Sequence, residues 1–226
     1  MKLSVKTMLI LKNFANINQS LLFKAGNKLR VLSDSKDIMV DVEIDESIPI
    51  EFGIYDMNKF ISILSLHKDS PDIDFESSSV LIKSDDDRRI IKYRFCDKSM
   101  ILVPPEKDIN MDDAEIEFIV SEQDLEWILK TASVLCCPNI SFSAHDGALY
   151  LNALDVKDSS VSNNSLKIQD DCENVFNVIF KAEKIQKLFA GDYVVSISSK
   201  GISKWQHKDL TLKYFIAVED GSEYDE

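Results

Sequence analysis

Three histidines, His67, His145 and His207, stand singly along the chain. None belongs to an H-x-x-x-H pair or to the Cys/His spacing that a zinc site needs. The four cysteines, Cys96, Cys136, Cys137 and Cys172, include no C-x-x-C pair. The adjacent Cys136 and Cys137 could bridge each other only with strain, so reduced thiols in a cytosolic protein are expected. Asp85-Asp86-Asp87 gathers carboxylate but lacks the spaced ligands and distant glutamate of a calcium loop, and reads as a solvated turn. Ser77-Ser78-Ser79 has no neighbouring base motif and reads as another turn. None of the six glycines forms G-x-G-x-x-G or a P-loop, so phosphates of a nucleotide find no cradle. The residues therefore assign no catalytic group, metal or cofactor, and the chain is expected not to be an enzyme. A hydrolase would need a concentrated polar cleft that no stretch displays.

Charge carries more information. The 226 residues hold 39 Asp+Glu against 26 Lys+Arg, a net charge of −13, with 45% hydrophobic and 29% charged residues. That mix is too apolar for disorder and too charged for a membrane span. The longest apolar runs, such as residues 8–11, fall far short of the ~18 that a spanning helix needs. No secretory signal is expected.

The elements that must position any site follow from periodicity. Ser4 caps a helix over 5–18, with Met8, Ile10, Leu11, Phe14, Ala15 and Ile17 on one arc and Leu9 the single misfit. Residues 38–44 alternate as a half-buried strand, with Ile38, Val40, Val42 and Ile44 inward; 72–76 and 89–95 alternate likewise. A second helix starts at the cap Asp56 and reaches about His67. Paired prolines within 103–108 then mark an extended connector. After it come a strand at 115–120 and a helix over 121–135 opened by Ser121-Glu122-Gln123-Asp124. Strands at 140–144 and 148–154 flank the turn His145-Asp146-Gly147. A strand at 175–180, a short helix at 181–190 closed by Gly191, and strands at 193–198, 203–207 and 210–218 complete the chain. Helix, strands, helix, strands thus occurs twice, with an offset of about half the chain. The expected fold is α+β: two similar domains, 1–105 and 115–226, joined by a connector at 106–114, with helices on one face of antiparallel sheets.

Base concentrates on those helices. The first carries Lys6 and Lys12 and no acid; the second carries Lys59, with Lys68 beyond it, against Asp56 and Asp69. The fourth places Lys181, Lys184 and Lys187 at i, i+3 and i+6 beside Glu183. The third is the exception, with Glu122, Asp124 and Glu126 against Lys130. An exposed lysine–phosphate contact gains about 1 kcal/mol and is screened within ~8 Å at physiological salt. A body at −13 suits loose contact with a sliding duplex, not tight site-specific binding.

Specific residues also carry a family resemblance. Met1-Lys2-Leu3-Ser4, Leu11-Lys12-Asn13-Phe14-Ala15 and Ile54-Tyr55-Asp56-Met57-Asn58-Lys59-Phe60 resemble the opening half of the DNA polymerase sliding clamps of T-even-type phages. Asn174-Val175-Phe176-Asn177-Val178-Ile179 and Gly191-Asp192-Tyr193 are similar to the same family. Tyr214-Phe215-Ile216-Ala217-Val218-Glu219 resembles it too and, more loosely, the end of the eukaryotic clamp. The resemblance implies a closed homotrimeric ring of clamp-type domains, helices lining the hole, that encircles double-stranded DNA and tethers the replicative DNA polymerase. It implies an ATP-driven clamp loader as a partner, a role in phage late transcription with its factors, no membrane, and work in the cytoplasm of the infected host.

On that reading Lys6, Lys12, Asn13, Asn16, Lys59, Ser62, Lys130, Lys184 and Lys187 face DNA. Leu32, Ile38, Val40, Ile109, Met111, Tyr214, Phe215 and Ile216 are candidates for a pocket that takes a partner's apolar-aromatic peptide. The basic strand residues Arg88, Arg89, Lys92 and Arg94 of one subunit meet Asp170 and Asp171 of the next. The competing reading is a monomeric acidic adaptor or inhibitor whose surface mimics nucleic acid.

Overall fold

A computed structural model describes every residue except 68–70, 85, 87, 112, 113, 173, 225 and 226. Lys68, Asp69, Asp85, Asp87, part of the 106–114 connector and the end of the acidic tail therefore lie outside the described residues. The chain divides into two compact units, Met1–Lys107 and Asp108–Glu226.

Unit 1 opens with α1 (Val5–Ile17), whose cap Ser4 accepts a hydrogen bond from the Thr7 N–H. Ile10, Leu11, Phe14 and Ile17 are buried, while Leu9, off their arc, is 45% exposed. β1 (Leu21–Phe23), β2 (Gly26–Leu32), β3 (Ile38–Ile48) and β4 (Phe52–Ile54) follow, with β2 antiparallel to β3 and β1 to β4. α1 packs on β2 and β3 and beside α2 (Met57–Ser65). The Asp56 carboxylate caps α2 by accepting from the Lys59 N–H at 2.8 Å. β5 (Asp72–Phe75), β6 (Ser79–Lys83) and β7 (Ile90–Arg94) form a second antiparallel sheet in that order. Ahead of α1 the chain joins its β5 side, where the Ile73 N–H donates to the Met1 carbonyl at 2.8 Å. Phe52 fixes the core, its ring centroid 4.6 Å from Phe23, 4.8 Å from Phe95 and 5.4 Å from Phe75.

Unit 2 repeats the plan. Its elements are β8 (Ile116–Val120), α3 (Glu122–Leu135), β9 (Asn139–His145), β10 (Ala148–Leu154), β11 (Asn164–Asp170), β12 (Phe176–Lys181), α4 (Ala182–Ile185), β13 (Tyr193–Ser198), β14 (Ile202–His207), β15 (Lys213–Ala217) and β16 (Glu223–Tyr224). One sheet runs β11-β10-β9-β12-β16; in the other β8, β13, β14 and β15 pair in that order, all antiparallel. α3 packs on β9, β10 and β11, and α4 beside it on β9 and β12. Between the sheets, Trp205 stands 5.7 Å from both Phe142 and Phe180, and Phe118 stands 4.8 Å from Phe142. The β9–β10 turn has positive φ at both Asp146 and Gly147, 52° and 76°, the twist that a two-residue hairpin favours. The strand before α3 thus matches the extended start before α1, and both units are α+β with antiparallel sheets. No helix among the described residues is long and apolar enough to cross a membrane.

Three local expectations need correction. The helix foreseen over 181–190 ends at Ile185. Tyr193 and Tyr214 hold the chain beyond it, the Tyr193 hydroxyl donating to Phe189 O at 2.6 Å and the Phe189 N–H donating to the Tyr214 hydroxyl at 3.0 Å. β3 is not half-buried over its first five residues: Met39 and Asp41 are inside with Ile38, Val40 and Val42. Asp41 can be there because Arg30 meets its carboxylate at 2.8 Å and Lys28 at 3.7 Å. Ser79 begins strand β6 and is fully buried, its hydroxyl donating to Glu76 at 2.6 Å.

Glu46, on β3, ties down the start of α1. The Ser4 N–H donates to one carboxylate oxygen, and the Thr7 hydroxyl to the other at 2.6 Å. Burial pushes its pKa up, but these hydrogen bonds outweigh burial and hold it below the ordinary glutamate value near 4.5. The stabilisation is present above that value and lost as pH falls through the lowered one. Acid titration of the wild type should show a loss of thermal stability in this range that Glu46→Gln flattens; identical acid limbs would exclude the tie. Gly191 has φ +143°, and a Cβ there would lie 2.2 Å from the His207 Nε2. Gly191→Ala should cost about 2–4 kcal/mol. Gly147→Ala, at φ +76° with open space around it, should cost about 1 kcal/mol in denaturant titrations.

Candidate nucleic-acid interface

The exposed face of α1 carries Lys12 and Asn16, with Lys6 and Asn13 half-buried at its margins. Lys6 lies 3.4 Å from Asp45. On α2, Asn58, Lys59 and Ser62 are exposed, and the Ser62 hydroxyl donates to Asn58 O at 2.7 Å. Neither helix contains a carboxylate. Among the described residues, Lys12 and Lys59 have no acidic partner for their ammonium groups.

Unit 2 differs. Lys130 is exposed but paired to Glu126, one turn back, at 2.9 Å. Trp127, outside the apolar arc of α3, is 55% exposed; its type and spacing had marked no role for it. Lys184 corrects the sequence expectation: it is buried, donating to Ala217 O at 3.2 Å and to Glu219 at 2.6 Å, and cannot face DNA. The stripe of three lysines fails with it. Lys181 is the helix cap, 4.0 Å from Glu219, and Lys187 is half-buried beyond the helix end.

The peptide-pocket candidates are also divided by burial. Ile38, Val40, Tyr214 and Ile216 have at most 1% of their surface exposed and are core residues, offering no wall to a ligand. Leu32, Met111 and Phe215 are buried as well, though less completely, and Ile109 is half-exposed.

At the proposed subunit edges, Arg88, Arg89, Lys92 and Arg94 are all exposed; Lys92 pairs with Glu76 at 2.6 Å. Lys92 and Arg94 lie on β7, with Arg88 and Arg89 just before it; β7 pairs only with β6 among the described residues, and β11 only with β10, so each leaves one edge open. Asp170, at the end of β11, accepts from Lys167 at 2.7 Å, and that contact raises the lysine's pKa. Asp171 follows with φ 57°. β11 itself had escaped the sequence reading, although Leu166 and Ile168 supply an alternation among its polar residues. Among the described residues no group of three or more His, Cys, Asp or Glu could hold a metal ion.

Two repeated α+β units with antiparallel sheets define a clamp-type fold, and comparison with known proteins agrees. Residues 2–103 match the family model of DNA polymerase processivity factors, and residues 117–220 that of the C-terminal part of the gp45 sliding clamp. The chain is 31% identical over 225 residues to the sliding clamp of Vibrio phage KVP40, covering 97% of this chain and 99% of that one. To the sliding clamp of Enterobacteria phage T4 it is 30% identical over 232 residues, covering both completely. Among solved structures, the Proliferating Cellular Nuclear Antigen of Entamoeba histolytica superposes with a TM-score of 0.70 at 15% identity, over 94% of each chain. The A. fulgidus PCNA bound to the C-terminal region of FEN-1 superposes with a TM-score of 0.69 at 12% identity, over 96% of each. The chain belongs to the phage sliding-clamp family of DNA polymerase processivity factors, whose members are non-catalytic accessory proteins.

Lys184→Ala should lower the unfolding free energy by about 1.5–3 kcal/mol, because it strips the half-buried Glu219 carboxylate of its main partner. Denaturant titration measures this, and a cost below 0.5 kcal/mol would show that the pair does not hold the end of β15 to α4.

Proposed function

We propose that the chain closes head to tail into a homotrimeric ring around double-stranded DNA and tethers the replicative DNA polymerase to it. The supporting observation is the segregation of charge: in a chain of net charge −13, the exposed faces of α1 and α2 present lysine, asparagine and serine without carboxylate. Such a wall attracts phosphate weakly, at about 1 kcal/mol per exposed contact, while the acidic remainder opposes adhesion. Holding is then topological and the duplex stays free to slide.

The open edges of β7 and β11 supply the means of closure. A β7 edge of one subunit added to the β11 edge of the next satisfies backbone N–H and C=O groups of both strands, and brings Arg88, Arg89 and Arg94 toward Asp170 and Asp171. A heterologous contact of this kind generates rings when its rotation closes. Residues 106–114 act as the connector between clamp domains 1–105 and 115–226, and Ile109 offers side-chain surface to a partner's apolar-aromatic peptide.

An ATP-driven clamp loader opens the ring, and late-transcription factors are further partners; both roles rest on family membership. The protein works in the cytoplasm of the infected bacterium. Sedimentation equilibrium should give a mass near three times 25.7 kDa. A single-chain mass at all micromolar concentrations would instead favour the acidic adaptor or DNA-mimic reading.

A further inference from the structure

The two units do not present the same wall to a polyanion. The helices of unit 1 carry three lysines, Lys6, Lys12 and Lys59, and no carboxylate. Those of unit 2 carry four carboxylates, Glu122, Asp124, Glu126 and Glu183, and two lysines, Lys130 and Lys184. Both unit 2 lysines are already engaged, Lys130 with Glu126 at 2.9 Å and Lys184 with Glu219 at 2.6 Å in the interior. Acids flank unit 1's wall at the helix ends: Asp56 caps α2, Asp45 and Glu46 lie by the first turn of α1, and Asp34 accepts from the Asn18 side chain at the C-terminal end of α1 at 3.0 Å. Lys12 is about one and a half turns and Asn16 about two and a half turns beyond Thr7. α3 also exposes Trp127 at 55% and Val134 at 81%, neither of which brings a positive charge to a phosphate.

We infer that duplex DNA rides against the helices of unit 1, with Lys12 and Lys59 making the phosphate contacts, while the carboxylates of α3 in unit 2 hold it off. This rests on the ring reading above. In a ring of three subunits it gives three attractive sectors alternating with three repulsive ones. The duplex then leans toward one attractive sector at a time and exchanges between them, since each contact is weak and screened within ~8 Å. Glu126 has a double part: it repels phosphate and occupies Lys130, the one exposed cation of α3.

The test uses the full chain threaded onto a linear duplex from its ends, the DNA carrying an aryl azide on phosphorothioate positions. After irradiation, adducts are mapped by proteolysis and mass spectrometry. Adducts on α1 and α2 should exceed those on α3 and α4 by about five-fold, the occupancy difference of one exposed lysine–phosphate contact. Glu122→Gln with Glu126→Gln, which removes the repulsion and frees Lys130, should bring the ratio toward one by raising unit 2 adducts. Lys12→Gln with Lys59→Gln should bring it toward one by lowering unit 1 adducts. Trimer mass is checked for each variant, and the neutral substitutions lie on exposed positions. An equal or reversed ratio in the unaltered trimer, or a ratio that neither variant moves, would overturn the inference and leave the ring standing. A chain that sediments as a monomer and gives the same adducts on linear and closed circular duplex would overturn the ring itself.

Discussion

Like charges repel, and a chain of net charge −13 can meet a polyanion only where its acid is kept away. The distribution of carboxylates is therefore the constraint on which the rest depends. Strands and turns carry most of the acid, and several of the buried or half-buried carboxylates are consumed in holding elements together: Asp41 by Arg30, Glu46 by the start of α1, and Glu219 by Lys184. Each pairing sets a carboxylate against a partner within the fold while α1 and α2 remain free of acid. The proposed sliding contact needs that arrangement, because strong attraction would pin the duplex and uniform repulsion would destabilise a ring closed around it.

The repeated unit explains how such a wall is displayed. In unit 2 the two helices lie side by side on one sheet, and in unit 1 α1 lies on β2 and β3 with α2 beside it. Aromatic clusters fix this placement in both halves: Phe23, Phe52, Phe75 and Phe95 in unit 1, and Phe118, Phe142, Phe180 and Trp205 in unit 2. The same plan leaves β7 and β11 as sheet edges. An open edge invites pairing with another chain, and cations crowd one edge while carboxylates end the other.

What could be read from the sequence was whatever local periodicity determines. α1 follows from a 3.6-residue apolar arc behind Ser4, and the β9–β10 hairpin follows from Asp146-Gly147, since both depend on neighbours in the chain. What escaped depends on partners far away in sequence. α4 stops at Ile185 because two tyrosine hydroxyls hold Phe189, and Lys184 turns inward because Glu219, 35 residues on, awaits it. A stripe of lysines at helical spacing was thus dissolved by side chains no local window contains. Asp41 sits in the core for the same kind of reason, its cations coming from β2. Of the residues expected to line the hole, those on α1 and α2 keep exposed or half-buried positions; the peptide-pocket set loses Ile38, Val40, Tyr214 and Ile216 to the core, since apolar strand residues suit a core and a pocket wall alike.

Topological holding is tested most directly by retention on DNA without ends. Rings assembled on a nicked circular duplex, washed at high salt, should stay bound, and cutting the circle once should release them within minutes as they slide off. Release from the intact circle as fast as from the cut one, or retention that tracks salt alone, would contradict a protein that holds by encirclement.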